Sequence, residues 1–216
     1  MKRITFITGH YGSGKSEFSV NLAIAKHIDY LIDLDIVNPY FRSREAEEIL
    51  EINNIKMISS GLKNALGSDL PFISGEVFHP FRDKSKTAIF DLGGDLIGAR
   101  LVRQFSDFID FTETDLLLCT NVYREKTSSV QGIIQMIQSI EGSSGLRVTG
   151  LINNSNFLRD TTIDDVLKGQ QIILEVSKLL KLPIIYTSIY EKVDIKNSQL
   201  VGEILPLKLY LRKNWL

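Results

Sequence analysis

Thr5-Phe6-Ile7-Thr8-Gly9-His10-Tyr11-Gly12-Ser13-Gly14-Lys15-Ser16 is the stretch whose reading decides the fold. It reads as a short apolar strand that runs into a glycine loop and ends in Lys-Ser at a helix start. Gly9 to Ser16 satisfy G-x-x-x-x-G-K-S/T, the phosphate-loop pattern, and each fixed residue answers a separate physical demand. Gly9 and Gly14 let the backbone take dihedrals closed to other residues and pass close to an anion. The amide N–H groups of Gly12, Ser13 and Gly14 are then expected to point inward at phosphate oxygens, backed by the positive end of the following helix. Lys15 would reach the β- and γ-phosphates as a point charge, and the Ser16 hydroxyl would ligate a magnesium ion bridging them. Glu17, directly after, is grouped with these candidate nucleotide contacts.

Working outward, Ser16 to about Ile28 carries Phe18, Leu22, Ala25 and Ile28 near helical spacing, so the loop opens a helix with one apolar face. Tyr30 to Asp35 reads as a second strand that ends in acids and is stopped by Asn38-Pro39. Its carboxylates therefore sit at a strand's C-terminal end, the edge at which open parallel sheets bind ligands. Arg42 to Leu50 reads as a polar helix and Lys56 to Ser59 as a short edge strand. Gly61 to Phe81 shows no regular period, and His79 before Pro80 reads as a surface-loop residue. Order returns at Thr87-Ala88-Ile89-Phe90-Asp91-Leu92-Gly93-Gly94-Asp95, an apolar strand ending in an acid and two glycines. In that setting Asp91 can hold magnesium, usually through water, and Gly94 can bring a backbone N–H to the γ-phosphate. The remaining chain alternates a helix near 97–108, a strand at 115–120, a helix at 126–140, a strand at 146–152, a helix at 163–180 and a last strand at 183–186. The tail from Leu205 to Trp215 is largely apolar and is expected to bury against the domain or a partner. This alternation predicts an α/β fold with a mainly parallel sheet covered by helices on both faces, a Rossmann-like three-layer arrangement.

The 216 residues suit one α/β domain spanning 1–216. A net charge of −1 leaves no basic excess to steer nucleic acid, so no nucleic-acid partner is expected. The single cysteine, Cys119, excludes an intrachain disulfide and an all-cysteine metal site within one chain. With no signal-like or membrane-length apolar run, a cytoplasmic protein is expected.

Together these elements resemble the MinD/ParA/CobQ group of P-loop nucleotide-binding proteins, to which the nitrogenase iron protein is also similar. The resemblance rests on the phosphate loop, on Asp33-Leu34-Asp35, on Asp91-Leu92-Gly93-Gly94 and on Gly150-Leu151-Ile152-Asn153-Asn154-Ser155. It implies that Asp35 orients or activates the attacking water beside the metal, that Asp91 belongs with Ser16 to the magnesium site, and that Asn154 binds adenine. The stretch Asp33 to Glu45 is similar to a bacterial branch described only as ATP-binding. Dimerising members carry a lysine just after the loop's first glycine, where this chain has His10. A histidine is shorter and mostly neutral at pH 7, which argues against the same partner-activated mechanism. Two readings stay open for Arg42 and Arg44: one of them supplies positive charge near the nucleotide, or both are solvated residues at a helix start paired with Glu47 and Glu48. The loop's glycine spacing also resembles the nickel-chaperone GTPases, but those end the base-binding strand in Asn-Lys-x-Asp. Here the run is Asn153-Asn154-Ser155-Asn156, without the acid, so adenine is expected over guanine.

Three functions fit these residues. One is a switch that binds Mg-ATP, hydrolyses it slowly to ADP and signals to a protein partner, with a nucleotide-dependent homodimer as one form. The second is an ATP-dependent ligase of the dethiobiotin synthetase type. The third is an ATP-sensing interaction module without turnover.

Overall fold

The computed structural model describes residues 1–35, 43–59, 74–94, 96–196 and 198–211. Strands β1 (Ile4–Thr8), β2 (Tyr30–Leu34), β3 (Lys56–Ser59), β4 (Ala88–Leu92), β5 (Thr114–Thr120), β6 (Gly150–Asn153), β7 (Ile184–Tyr190) and β8 (Glu203–Leu207) form one eight-stranded sheet in the order β3-β2-β4-β1-β5-β6-β7-β8. The pairings are parallel throughout. Helices α1 (Lys15–Lys26) and α2 (Ser43–Ile52) cover one face. On the other lie α3 (His79–Arg82), α4 (Leu96–Leu101), α5 (Val130–Ser144) and α6 (Ile163–Leu180). The expected three-layer architecture is the one observed.

Because side chains alternate along a strand, each strand feeds both layers. Ile4, Phe6, Ile32, Leu34, Phe90 and Leu118 pack toward α5 and α6, where Phe6 and Phe90 lie 4.7 Å apart and Phe81 stacks on Phe105 at 5.4 Å. Ile7, Leu31, Ile89, Leu117, Cys119 and Tyr186 pack toward α1. The same parity places Asp33, Asp35 and Asp91 on the α1 face. β1 lies between β4 and β5 at the centre, so whatever follows it stands where the strand order reverses.

Several boundaries differ from the sequence reading. The helix expected from Lys126 begins at Val130, because a 3-10 turn (Glu125–Thr127) precedes it and Ser129 caps it by accepting from the Gly132 amide at 3.2 Å. It runs through Gly142 and ends at Gly145, whose φ is 78°. The strand expected over 146–152 is confined to Gly150–Asn153, since the amides of Leu146 and Val148 bond back to Ser144 Oγ and Glu141 Oε1. Beyond α4 the chain continues as a 3-10 helix, Val102–Phe108. The irregular region holds a 3-10 turn at Gly75–Phe78 and then α3, where His79 sets its ring edge against Tyr30 at 5.6 Å. The sequence reading placed no strand after 183–186, yet β8 overlaps the start of the apolar tail and includes Pro206, because an edge strand tolerates the missing N–H.

Candidate functional site

The loop between β1 and α1 is held by its carbonyls. The amide of Ser13 and the Lys15 Nζ both donate to the His10 carbonyl, at 3.0 and 3.4 Å. Arg124 Nε donates to the Gly12 carbonyl at 2.9 Å, Asn154 Nδ2 to that of Ser13 at 2.6 Å, and the Phe18 amide to that of Gly14 at 3.0 Å. Arg124 and Asn154 thus hold the Gly12 and Ser13 carbonyls from outside, whereas the Ser13 amide, expected to face phosphate, is engaged by the His10 carbonyl within the loop. The left-handed Gly14 (φ 85°) precedes α1 without a side-chain cap, so the helix dipole opens at the loop's end. A Cβ at Gly9 would collide with the Cys119 carbonyl, and one at Gly14 would lie 2.5 Å from Asn154 Nδ2, so close approach requires glycine at both. Gly94 packs on the loop as well: a Cβ there would lie 2.7 Å from the Tyr11 amide and 3.0 Å from Lys15 Nζ. Lys15 is only 5% exposed, an ammonium held at the loop's mouth.

On the α1 face, Ser16, Asp33 and Asp91 line a cavity of about 20 Å³. Asp33 and Asp91 are register partners on β2 and β4. Asp35 follows β2, half-buried, with its amide donating to Asp33 Oδ1 at 2.9 Å. The structure thus brings Asp33 beside Ser16 and Asp91, where the sequence reading had Asp35. The two acids share strand parity, and that alternation was the signal available for Asp33.

Two expected nucleotide contacts are corrected by their partners. Glu17 is 7% exposed, and its Oε1 accepts from the Tyr210 amide at 2.6 Å and the Leu211 amide at 3.3 Å, so its carboxylate holds the tail. Asn21, one turn on, grips Lys208 through both its amide and carbonyl, at 2.8 and 2.9 Å. Asn154, expected to read the base, is 1% exposed. Its Nδ2 is engaged by Ser13 and its Oδ1 accepts from Ser188 Oγ, so its amide braces the loop. Beside Gly14 lies Asn156, whose Nδ2 donates to the Asn154 carbonyl at 2.7 Å. Beneath the loop, Cys119 contacts the Ser13 carbonyl at 3.8 Å, and burial pushes its thiol up to about 12, which leaves it protonated and inert. Arg42 lies outside the described residues, as does the side chain of Arg44.

Arg124 carried no signal in the sequence, because its role depends on the β5–α5 connection folding back over Gly12. Arg124→Ala should free the Gly12 carbonyl and lower nucleotide affinity roughly fivefold to tenfold, about 1 kcal/mol for a partly exposed bond. Arg124→Lys should not restore it, since the Nε donor is lost. Titration calorimetry on both variants would show this, and parental affinity in Arg124→Ala would remove the bracing role.

Comparison of the sequence with protein-family models and with curated proteins gives no match. Solved structures do match, and they show the fold: the chain has the three-layer α/β/α fold of the P-loop NTPases. It is similar to the cell division protein FtsY of Thermotoga maritima, with a TM-score of 0.58 and 17% identity over 89% of this chain and 63% of that one. Chloroplast FtsY from Physcomitrella patens gives 0.56 and 13%, over 87% and 58%. The signal recognition particle receptor FtsY from Elizabethkingia anophelis, in complex with GDP, gives 0.53 and 15%, over 89% and 58%. The chain therefore spans about three fifths of the length of these structures. Among the described residues no helix is long and apolar enough to cross a membrane.

Proposed function

We propose that the chain binds a magnesium nucleoside triphosphate, ATP in preference, at Gly9 to Ser16 and acts as a slow ATPase switch on a protein partner. The observation that carries this reading is the loop itself: Arg124 and Asn154 hold the Gly12 and Ser13 carbonyls from outside, and the uncapped start of α1 opens beside the buried Lys15. A phosphate there would take over the Lys15 and Ser13 donors that the His10 carbonyl now engages. Lys15 and Gly94 meet at the end where a γ-phosphate would lie, so its loss would be felt by the segment after β4. The MinD/ParA/CobQ resemblance belongs to the same proposal, with a nucleotide-dependent homodimer as one outcome.

Ser16, Asp33 and Asp91 fit magnesium. They offer three hard oxygen donors at the edge of a space of about one water, whose other walls, Val20, Leu31, Ala46, Met57 and Leu211, are apolar. Among the described residues no group of three His, Cys, Asp or Glu forms a fuller cage. When bound, the ion would neutralise charge on the β- and γ-phosphate oxygens. Asp33→Asn and Asp91→Asn should each raise the magnesium concentration needed for half-maximal nucleotide binding. Asp35→Ala should leave binding within about twofold and lower turnover on the order of a hundredfold, the range of a lost proton-handling group. Should Asp35→Ala turn over at the parental rate while Asp33→Ala does not, the water-orienting role passes to Asp33.

ATP is preferred because guanine recognition uses an acid to accept from the ring N–H and amino donors, and Asn153 to Asn156 contains none. A guanine nucleotide is the second reading, favoured by the GDP complex of the E. anophelis FtsY structure. Competition between Mg-ATP and Mg-GTP for the parental protein tests this choice; tighter GTP binding would reverse it.

A further inference from the structure

A cavity of about 610 Å³ lies on the α5 side of the phosphate loop. Its described lining is Gly9, His10 and Tyr11 of the loop, Gly94 after β4, Glu125 and Lys126 of the 3-10 turn, and one face of α5 formed by Gly132, Gln135, Met136 and Ser139. This volume suits a small organic molecule and far exceeds what a γ-phosphoryl group needs. The α1-face residues Ser16, Asp33 and Asp91 do not border it; they line the separate small space described above.

Two features show what the cavity is built for. Gly132 is the third residue of α5, in the first turn, and its amide is the one that donates to the Ser129 cap. A Cβ there would press to 2.5 Å from the Lys126 carbonyl, so glycine lets the charged turn sit against the helix at the cavity wall. The walls also differ in chemistry. Met136 and Ile140 offer an apolar surface, and Gln135 and Ser139 a side-chain amide and a hydroxyl oxygen, the latter donating to the Gln135 carbonyl at 2.8 Å. Lys126 sets an ammonium beside that apolar wall, with Glu125 next to it in the turn.

We infer that this cavity is a second ligand site, for an amphipathic organic anion, coupled to the phosphate loop. Coupling follows from shared walls. The loop's own first residues form one side, Gly94 abuts Tyr11 and Lys15 on another, and Lys126 is two residues from the Arg124 that grips Gly12. A ligand that shifts any of these changes the loop's fit to phosphate, and the nucleotide must change the ligand's affinity by the same factor. The coupling half rests on the nucleotide reading above; the site itself does not.

The probe is 8-anilinonaphthalene-1-sulfonate, an apolar anion whose fluorescence rises on burial. Saturable one-to-one binding is expected. Ser139→Trp, an exposed α5 position filled inward, should weaken it at least tenfold while leaving Mg-ATP affinity within twofold, and Lys126→Glu should weaken it severalfold. Circular dichroism confirms that both variants fold. Lys15→Ala should keep the probe and lose ATP, which separates this proposal from the nucleotide reading. In the parental protein, saturating Mg-ATP should shift the probe's affinity at least fivefold with both ligands bound, and the probe should shift ATP affinity equally. Absence of saturable binding, or binding untouched by both cavity variants, overturns the site. Strict mutual exclusion by ATP also overturns it, since the cavity would then be part of the nucleotide site. Equal probe affinity with and without ATP overturns the coupling.

Discussion

Lys15→Ala will lose nucleotide affinity by roughly a hundredfold or more and will unfold at or above the parental temperature. The two halves of this expectation have one cause. Lys15 is buried to 5% exposure, and its hydrogen bond to the His10 carbonyl is a long one at 3.4 Å, so its ammonium is desolvated with little return in the free protein. Removing it relieves that cost. Nucleotide binding, by contrast, loses a buried charge-assisted contact, and truncating one partner of such a pair costs about 2–5 kcal/mol. Calorimetry with Mg-ATP and thermal melts on the same sample check both halves. Parental affinity would dismiss the phosphate-loop reading, and a large drop in melting temperature would show that the lysine holds the fold.

Asn154→Leu will weaken ATP and GTP binding together, about tenfold each, and lower the melting temperature by roughly 5–12 °C. Leucine matches asparagine in size but leaves the buried Ser13 carbonyl without its amide donor, at about 1–3 kcal/mol, and reduces the Ser188 hydroxyl to its bond with the Asn153 carbonyl at 3.2 Å. The loop then loses the tie that turns Ser13 outward. A base-reading asparagine would behave differently, because its loss changes the ratio of ATP to GTP affinity and leaves stability nearly alone. The two nucleotides measured side by side distinguish these outcomes, and a ratio shifted tenfold with parental stability would return Asn154 to the base.

Legibility followed the range of the interactions involved. The phosphate loop was readable because its chemistry is contiguous: Gly9, Gly14, Lys15 and Ser16 act within one turn of chain. The sheet was readable from apolar runs alternating with helical periods, down to the acids that end β2 and β4. β8 was missed because Pro206 is a breaker everywhere except at an edge, and position in the sheet is not a local property. Glu17 looked like part of the loop because it adjoins Ser16, but a helix turns 100° per residue, and that rotation carries its carboxylate to the tail.

By itself the sequence determined that a strand, a glycine loop and a helix start would meet at one point, and that two of the other strands would end in acids. Local backbone preference and strand alternation suffice for that. Only the tertiary structure decided which distant side chains hold the loop: Arg124 on Gly12 and Asn154 between Ser13 and Ser188 are separated by 112, 141 and 34 residues. It also decided that Asp33 borders the small cavity with Ser16 and that α5 walls a larger one beside His10. Such pairings are set by sheet order and by how helices cross the strands, and hydrophobic periodicity constrains these only through the packing of the whole chain.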